Sequence, residues 1–134
     1  MGLLDAAESI LRANTWDFER MPDGGAIGTV IEGPPRYALV VAADDERELI
    51  TCFAVLTEPV AEEHRDEVLR LLNRANHGIE VVSFEMDEAD GEVRARATVP
   101  VYGEPLVETH LVVVLSETIF HAARVFPQVT TLGS

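Results

Sequence analysis

Chemistry in this chain would have to come from four histidines, one cysteine and an unusual supply of carboxylates, because all ten of its basic residues are arginine and lysine is absent. The missing lysine removes Schiff-base chemistry and the phosphate-cradling loop that ends in Lys. His64, His77, His110 and His121 form no HExxH pattern. His110 and His121 are eleven residues apart on one expected helix, which separates them by about 16 Å along its axis, too far to share a metal. Asp87 to Glu92 has the acidity of a calcium loop, but alignment on Gly91 puts Met86 at the first ligand position and Thr98 at the twelfth, where Glu is required. Cys52 sits in an apolar run without neighbouring arginines to lower its pKa, as a buried structural thiol does. Ser9, Ser83 and Ser116 lack a GxSxG setting. These residues predict no catalytic set, no metal and no cofactor.

The charge balance narrows the partners. With 24 acidic residues the formal charge is −14, which repels nucleic acid and anionic lipid alike. No run reaches the ~18 uncharged apolar residues of a spanning helix, and Asp5 and Glu8 make the first helix unlike a signal peptide, so a cytoplasmic protein is expected. The 134 residues, 47 % of them hydrophobic, suit a single domain over residues 1–134.

The elements that must carry these residues can be read from periodicity. Leu3, Leu4, Ala7, Ile10 and Leu11 share one helical face, and the helix should end near Asn14. Four strand-like runs follow, Trp16 to Arg20, Ala26 to Glu32, Tyr37 to Ala43 and Glu48 to Leu56, separated by short Gly, Pro and Asp turns that favour antiparallel hairpins. The third and fourth runs are apolar at both parities, as central strands are. A helix from Pro59 to about Asn76, capped by Thr57 or Glu58, buries Val60, His64, Val68, Leu71, Leu72 and Ala75. Glu80 to Asp87 and Glu92 to Val101 flank a turn at Gly91, and Val93, Ala95, Ala97 and Val99 alternate with Arg94, Arg96 and Thr98. Pro105 opens a last helix that Pro127 should end at about Phe126. The resulting fold class is α+β, in the order α-β-β-β-β-α-β-β-α, with an antiparallel sheet packed with helices.

The last helix has more apolar residues than one core stripe needs. Val107, Leu111, Val114, Leu115, Thr118, Ile119, Ala122 and Val125 form the stripe, while Leu106, Val113 and Phe120, spaced by seven, line up on the opposite side. That second line is a candidate partner or dimer interface. Asn73 and Asn76 close the middle helix, either capping its free carbonyls or displaying amides at the rim of a peptide groove.

Trp16-Asp17-Phe18-Glu19 after the opening helix, Leu71-Leu72-Asn73-Arg74-Ala75-Asn76 closing the middle one, and Val93-Arg94-Ala95-Arg96 with Val99-Pro100-Val101 in the second hairpin together resemble the YbjN-like bacterial family. The resemblance spans nearly the whole chain. It implies a type III secretion chaperone-like fold, a role in sensory or stress regulation, a protein partner and a homodimer, with no catalytic residues to carry over. The chain is therefore expected to be a non-enzymatic interaction module. An alternative is a small-molecule-binding or enzymatic domain with a pocket between sheet and helix near Trp16, Tyr37 and Tyr102.

Overall fold

The computed structural model describes residues 2–133. Its elements follow the expected order: α1 (Leu3–Ala13), β1 (Glu19–Arg20), β2 (Ala26–Ile31), β3 (Tyr37–Asp44), β4 (Leu49–Leu56), α2 (Arg65–His77), β5 (Ser83–Met86), β6 (Val93–Pro100) and α3 (Glu108–Leu132). The strands make one six-stranded sheet in the order β1-β2-β3-β4-β6-β5, antiparallel throughout.

Strand alternation gives this sheet two unequal faces. Ile27, Leu39, Val41, Ile50, Cys52, Ala54, Val93, Ala95, Ala97 and Val99 point to one face and are buried in a single core with Leu4, Ala7 and Leu11 of α1, Val68 and Leu72 of α2, and Leu111, Leu115, Ala122, Phe126 and Val129 of α3. All three helices thus cover the same side. The first free N–H of α1, that of Leu3, donates to Asp45 Oδ1 at 3.0 Å, so the turn between β3 and β4 fixes the start of this helix. Its last turn is closed by Asn14, whose Nδ2 donates to the Ile10 carbonyl at 2.8 Å.

Several boundaries differ from the sequence expectation: β1 begins at Glu19 and not at Trp16, β5 at Ser83 and not at Glu80, α3 at Glu108 and not at Pro105, and the ends of the two longer helices differ for reasons that the contacts show. The middle helix does not begin at Pro59. Residues 59–61 are not helical, a short 3-10 turn spans Glu62–His64, and α2 starts at Arg65, so His64, expected in the buried stripe, lies before the helix and is only half-buried. Backbone pairing is the reason: the Val60 N–H donates to the Gly91 carbonyl at 2.9 Å, and the Val60 carbonyl accepts from Arg65 Nε at 3.0 Å. The Thr57 hydroxyl caps no helix and instead donates to the Arg36 carbonyl at 2.9 Å. Gly91 is dictated by this docking, since its φ is +81° and a Cβ there would stand 2.2 Å from the Val60 oxygen.

The last helix does not stop at Pro127 but runs through it to Leu132. An interior proline costs about 3 kcal/mol. Phe126 and Val129, at 0 % and 1 % exposure, lie in those turns, and burying such side chains contributes about 1.5–3 kcal/mol each. The Phe126 ring also meets Tyr37 and Phe84 edge-on, with centroids 5.3 and 5.8 Å apart. Burial outweighs the lost hydrogen bond, and Pro127 itself faces solvent.

Candidate interaction surfaces

On α3, Val113 and Phe120 are 50 % and 56 % exposed, two turns apart on the side away from the core. Leu106 does not join them. The helix begins at Glu108, and Leu106 lies before it, partly buried against the core. Val107, expected in the core stripe, is the N-cap residue and is 45 % exposed, because the chain is still extended there. Val113 walls a cavity of about 440 Å³ that runs between the end of β6 and α3, with Val99, Pro100, Thr109, His110 and Val114. Phe120 is framed by charge: the Arg124 guanidinium stands 5.5 Å from its ring centroid, and the neighbouring His121 reaches Glu117 at 3.2 Å.

The two asparagines of α2 part company. Asn73 is exposed. Asn76 is spent on the sheet: its Nδ2 donates to the Phe84 carbonyl at 2.9 Å and its Oδ1 accepts the Phe84 N–H at 2.7 Å. β5 is an edge strand, so Phe84 would otherwise show both groups to solvent, and the side-chain amide replaces a neighbouring strand there. A cavity of about 400 Å³ beside Asn73, Arg74 and His77 remains at this helix end.

A third surface was not singled out from the sequence. The sheet face opposite the helices carries Val30, Ala38, Val40, Ala42, Phe53 and Val55, all half-buried except Val30, which is 42 % exposed. Its signal was present, since β3 and β4 are apolar at both parities; only a helix layer on the second side was missing. Toward β5 this face turns charged. Glu85 takes Arg94 at 2.5 Å and Arg96 at 3.0 Å, and the Arg94 guanidinium lies 4.9 Å from the Phe53 ring centroid. Toward β1 it forms a groove of about 470 Å³ bounded by Asp17, Glu19, Met21, Gly28, Val30 and Val40.

With this geometry in place, the chain can be compared with known proteins. The model of the YbjN family, described as "Putative bacterial sensory transduction regulator", matches residues 4–130. The chain belongs to the YbjN family. No curated protein matches it in sequence. Among solved structures, E. coli YbjN is similar with a TM-score of 0.73 at 12 % identity, covering 96 % of this chain and 91 % of that one. A chain of the HopA1–SchA chaperone–effector complex gives 0.60 at 17 % identity, covering 87 % and 86 %. A chain of the ExsC–ExsE complex gives 0.59 at 15 %, covering 92 % and 96 %. At such identities the likeness is one of fold, and it is the type III chaperone-like α+β fold.

In this YbjN-family chain the residues with chemical potential stay scattered. Cys52 is fully buried on the helix side of β4, and burial pushes its thiol up to about 12, which keeps it protonated. Among the described residues, no three His, Cys, Asp or Glu side chains gather as a metal site. Tyr37 is packed in the core on Phe126, Trp16 leans on Phe18 with centroids 6.0 Å apart, and Tyr102 is 75 % exposed; the cavities above are lined by none of them. No helix among the described residues is long and apolar enough to cross a membrane.

Proposed function

We propose that this YbjN-family chain is a non-enzymatic, chaperone-like module that holds a segment of another protein, working as a homodimer in the cytoplasm in sensory or stress regulation. The observation that carries the reading is the outer side of α3, where Val113 and Phe120 stay half-exposed on a helix whose other side is core, Val113 forming the wall of an apolar groove. Burying such side chains under a client's apolar residues supplies the free energy of holding. The client is basic or neutral, because a chain of net charge −14 repels an acidic one. Family membership and the likeness to a chain of a chaperone–effector complex support the same reading.

The test uses reduced lysozyme, a basic unfolded client. At equimolar ratio the protein should suppress its aggregation, and Val113→Glu or Phe120→Glu should abolish the effect while leaving the fold intact. Charge alone predicts the reverse, since either variant is more acidic and would hold a basic client better. Equal or stronger protection by the variants overturns the reading.

A further inference from the structure

The open sheet face is self-complementary across a two-fold axis. The register sets its outward residues in rows: Glu19, Gly28, Val40, Phe53 and Arg96 lie side by side across β1, β2, β3, β4 and β6. A second row runs Val30, Ala38, Val55 and Arg94. Asp17, two residues before Glu19, borders the same groove as Val30 and Ala38 and so extends this row at the β1 end. β3 is the middle of these five strands. An axis along β3, in the plane between two such faces, exchanges β1 with β6 and β2 with β4.

Each row then meets its own complement. Glu19 faces the partner's Arg96, Asp17 faces the partner's Arg94, and Val40 and Ala38 meet their own copies on the axis. Phe53, the largest side chain of the face, falls over the partner's Gly28, the one outward position in its row with no side chain, inside the 470 Å³ groove. Met21, whose sulphur lies 3.4 Å from where a Gly28 Cβ would be, is a flexible side chain able to move aside. Charge supply matches as well. Arg94 and Arg96 share the single carboxylate of Glu85, while Asp17 and Glu19 make no ion pair among the described residues.

Packed sheets lie about 10 Å apart and cross at about −30°. The outer pairs stand about 10 Å from the axis, two strand spacings, so that crossing displaces them by about 5 Å, within the reach of Arg and Glu side chains. With the next outward row, Ala26, Ala42, Thr51 and Thr98, the three rows cover about 20 Å along the strands and the five strands about 24 Å across them, so the pair buries a little over ~800 Å², the size of a weak, reversible, concentration-dependent dimer. We propose that this face is where two copies of the chain pair, with Phe53 in the partner's Gly28 groove and the Asp17 and Glu19 carboxylates on the partner's Arg94 and Arg96. This deepens the homodimer reading above and leaves α3 free, so client holding and pairing can fail separately.

Sedimentation is measured from about 1 µM to about 1 mM at about 0.15 M salt, where the Debye length of about 8 Å limits repulsion between two copies of charge −14. The wild type should dimerise reversibly. Glu19→Arg should raise the dissociation constant at least about tenfold, and so should Arg96→Glu built with Glu85→Gln to avoid a like pair within the chain; Glu85→Gln alone is the control. Mixing the two weakened variants should restore a heterodimer, because both of its charge contacts are then opposite in sign. As a measurement independent of stability, Glu19→Cys mixed with Arg96→Cys should cross-link between copies with a short bis-maleimide. A wild type monomeric throughout, variants that dimerise as the wild type does, no rescue on mixing, no cross-link, or dimers lost only in Val113→Glu would each overturn the proposal.

Discussion

Asn76→Ala tests whether the α2 amide is a structural bridge or a displayed contact. The substitution removes both partners of the Phe84 backbone, a donor bond of 2.9 Å and an acceptor bond of 2.7 Å. A backbone group left without its partner costs about 1–3 kcal/mol, and water can reach an edge strand, so about 1 kcal/mol for each group is the reasonable end of that range. Alanine returns about 0.5 kcal/mol as the better helix former. The net loss is about 1.5 kcal/mol, which for a domain of this size lowers Tm by roughly 5–8 °C. Thermal denaturation by circular dichroism reads the loss, and hydrogen exchange localises it: the Phe84 amide should lose protection by about tenfold while amides of β3 change only with global stability. Asn73→Ala, at an exposed position, should stay within about 0.5 kcal/mol of wild type. If Asn76→Ala costs no more than Asn73→Ala and leaves the Phe84 amide protected, the bridge contributes nothing and the amide is free for a bound chain.

Three further outcomes follow from the geometry. Pro127→Ala should raise stability by about 1–2 kcal/mol in chemical denaturation, since the position is exposed and inside α3, whereas a helix ending at Pro127 would give no gain. Gly91→Ala should cost about 3 kcal/mol or more and depopulate the native state, because the Cβ meets the Val60 carbonyl. Gly24→Ala, at φ +76° but with nothing within 4 Å, should cost only about 1 kcal/mol in the same assay. Stability should be insensitive to Cys52 below about pH 9 and fall above it by up to about 1.4 kcal/mol per pH unit. The unfolded thiol loses its proton near 9.0 while the buried one holds it to about 12, so the unfolded state binds fewer protons over that window. Tyr37, also raised by burial, acts in the same direction, so comparison with Cys52→Ala isolates the thiol; an unchanged slope in that variant would refute the assignment.

What the sequence made legible was decided by short-range rules. Alternation in β6, where Val93, Ala95, Ala97 and Val99 are buried between outward Arg94, Arg96 and Thr98, needs only the two-residue period, and the helical stripe of α1 needs only the 3.6-residue one. What escaped was set by contacts distant in sequence. The start of α2 depends on Val60 pairing with Gly91, thirty-one residues away, and the continuation of α3 past Pro127 depends on Phe126 meeting Tyr37 and Phe84. Leu106 fitted the seven-residue spacing but fell before the helix began, because a proline at 105 is compatible with either a first turn or the extended chain that precedes one. The amide of Asn76 was visible as a residue at a helix end, but its use depends on which strand passes beside it.

The same distinction explains why the open sheet face was hidden while its residues were in plain view. Apolar residues at both parities in β3 and β4 say that both faces of the sheet are apolar, and a helix on each side is the usual consequence. Among the described residues the three α-helices all lie on one side, α1 against β2, β3 and β4, α2 against β5, and α3 against β4 and β6. The second face therefore keeps Phe53, Val40 and Val55 without a covering layer. A chain that joins copies there buries that surface and turns both α3 helices outward, on opposite sides of the pair. Client contacts at Val113 and Phe120 would then be presented twice, and a client long enough to reach both would be held with an effective concentration set by its own linker. Pairing variants on the sheet face should accordingly weaken the holding of long clients and leave that of short peptides unchanged.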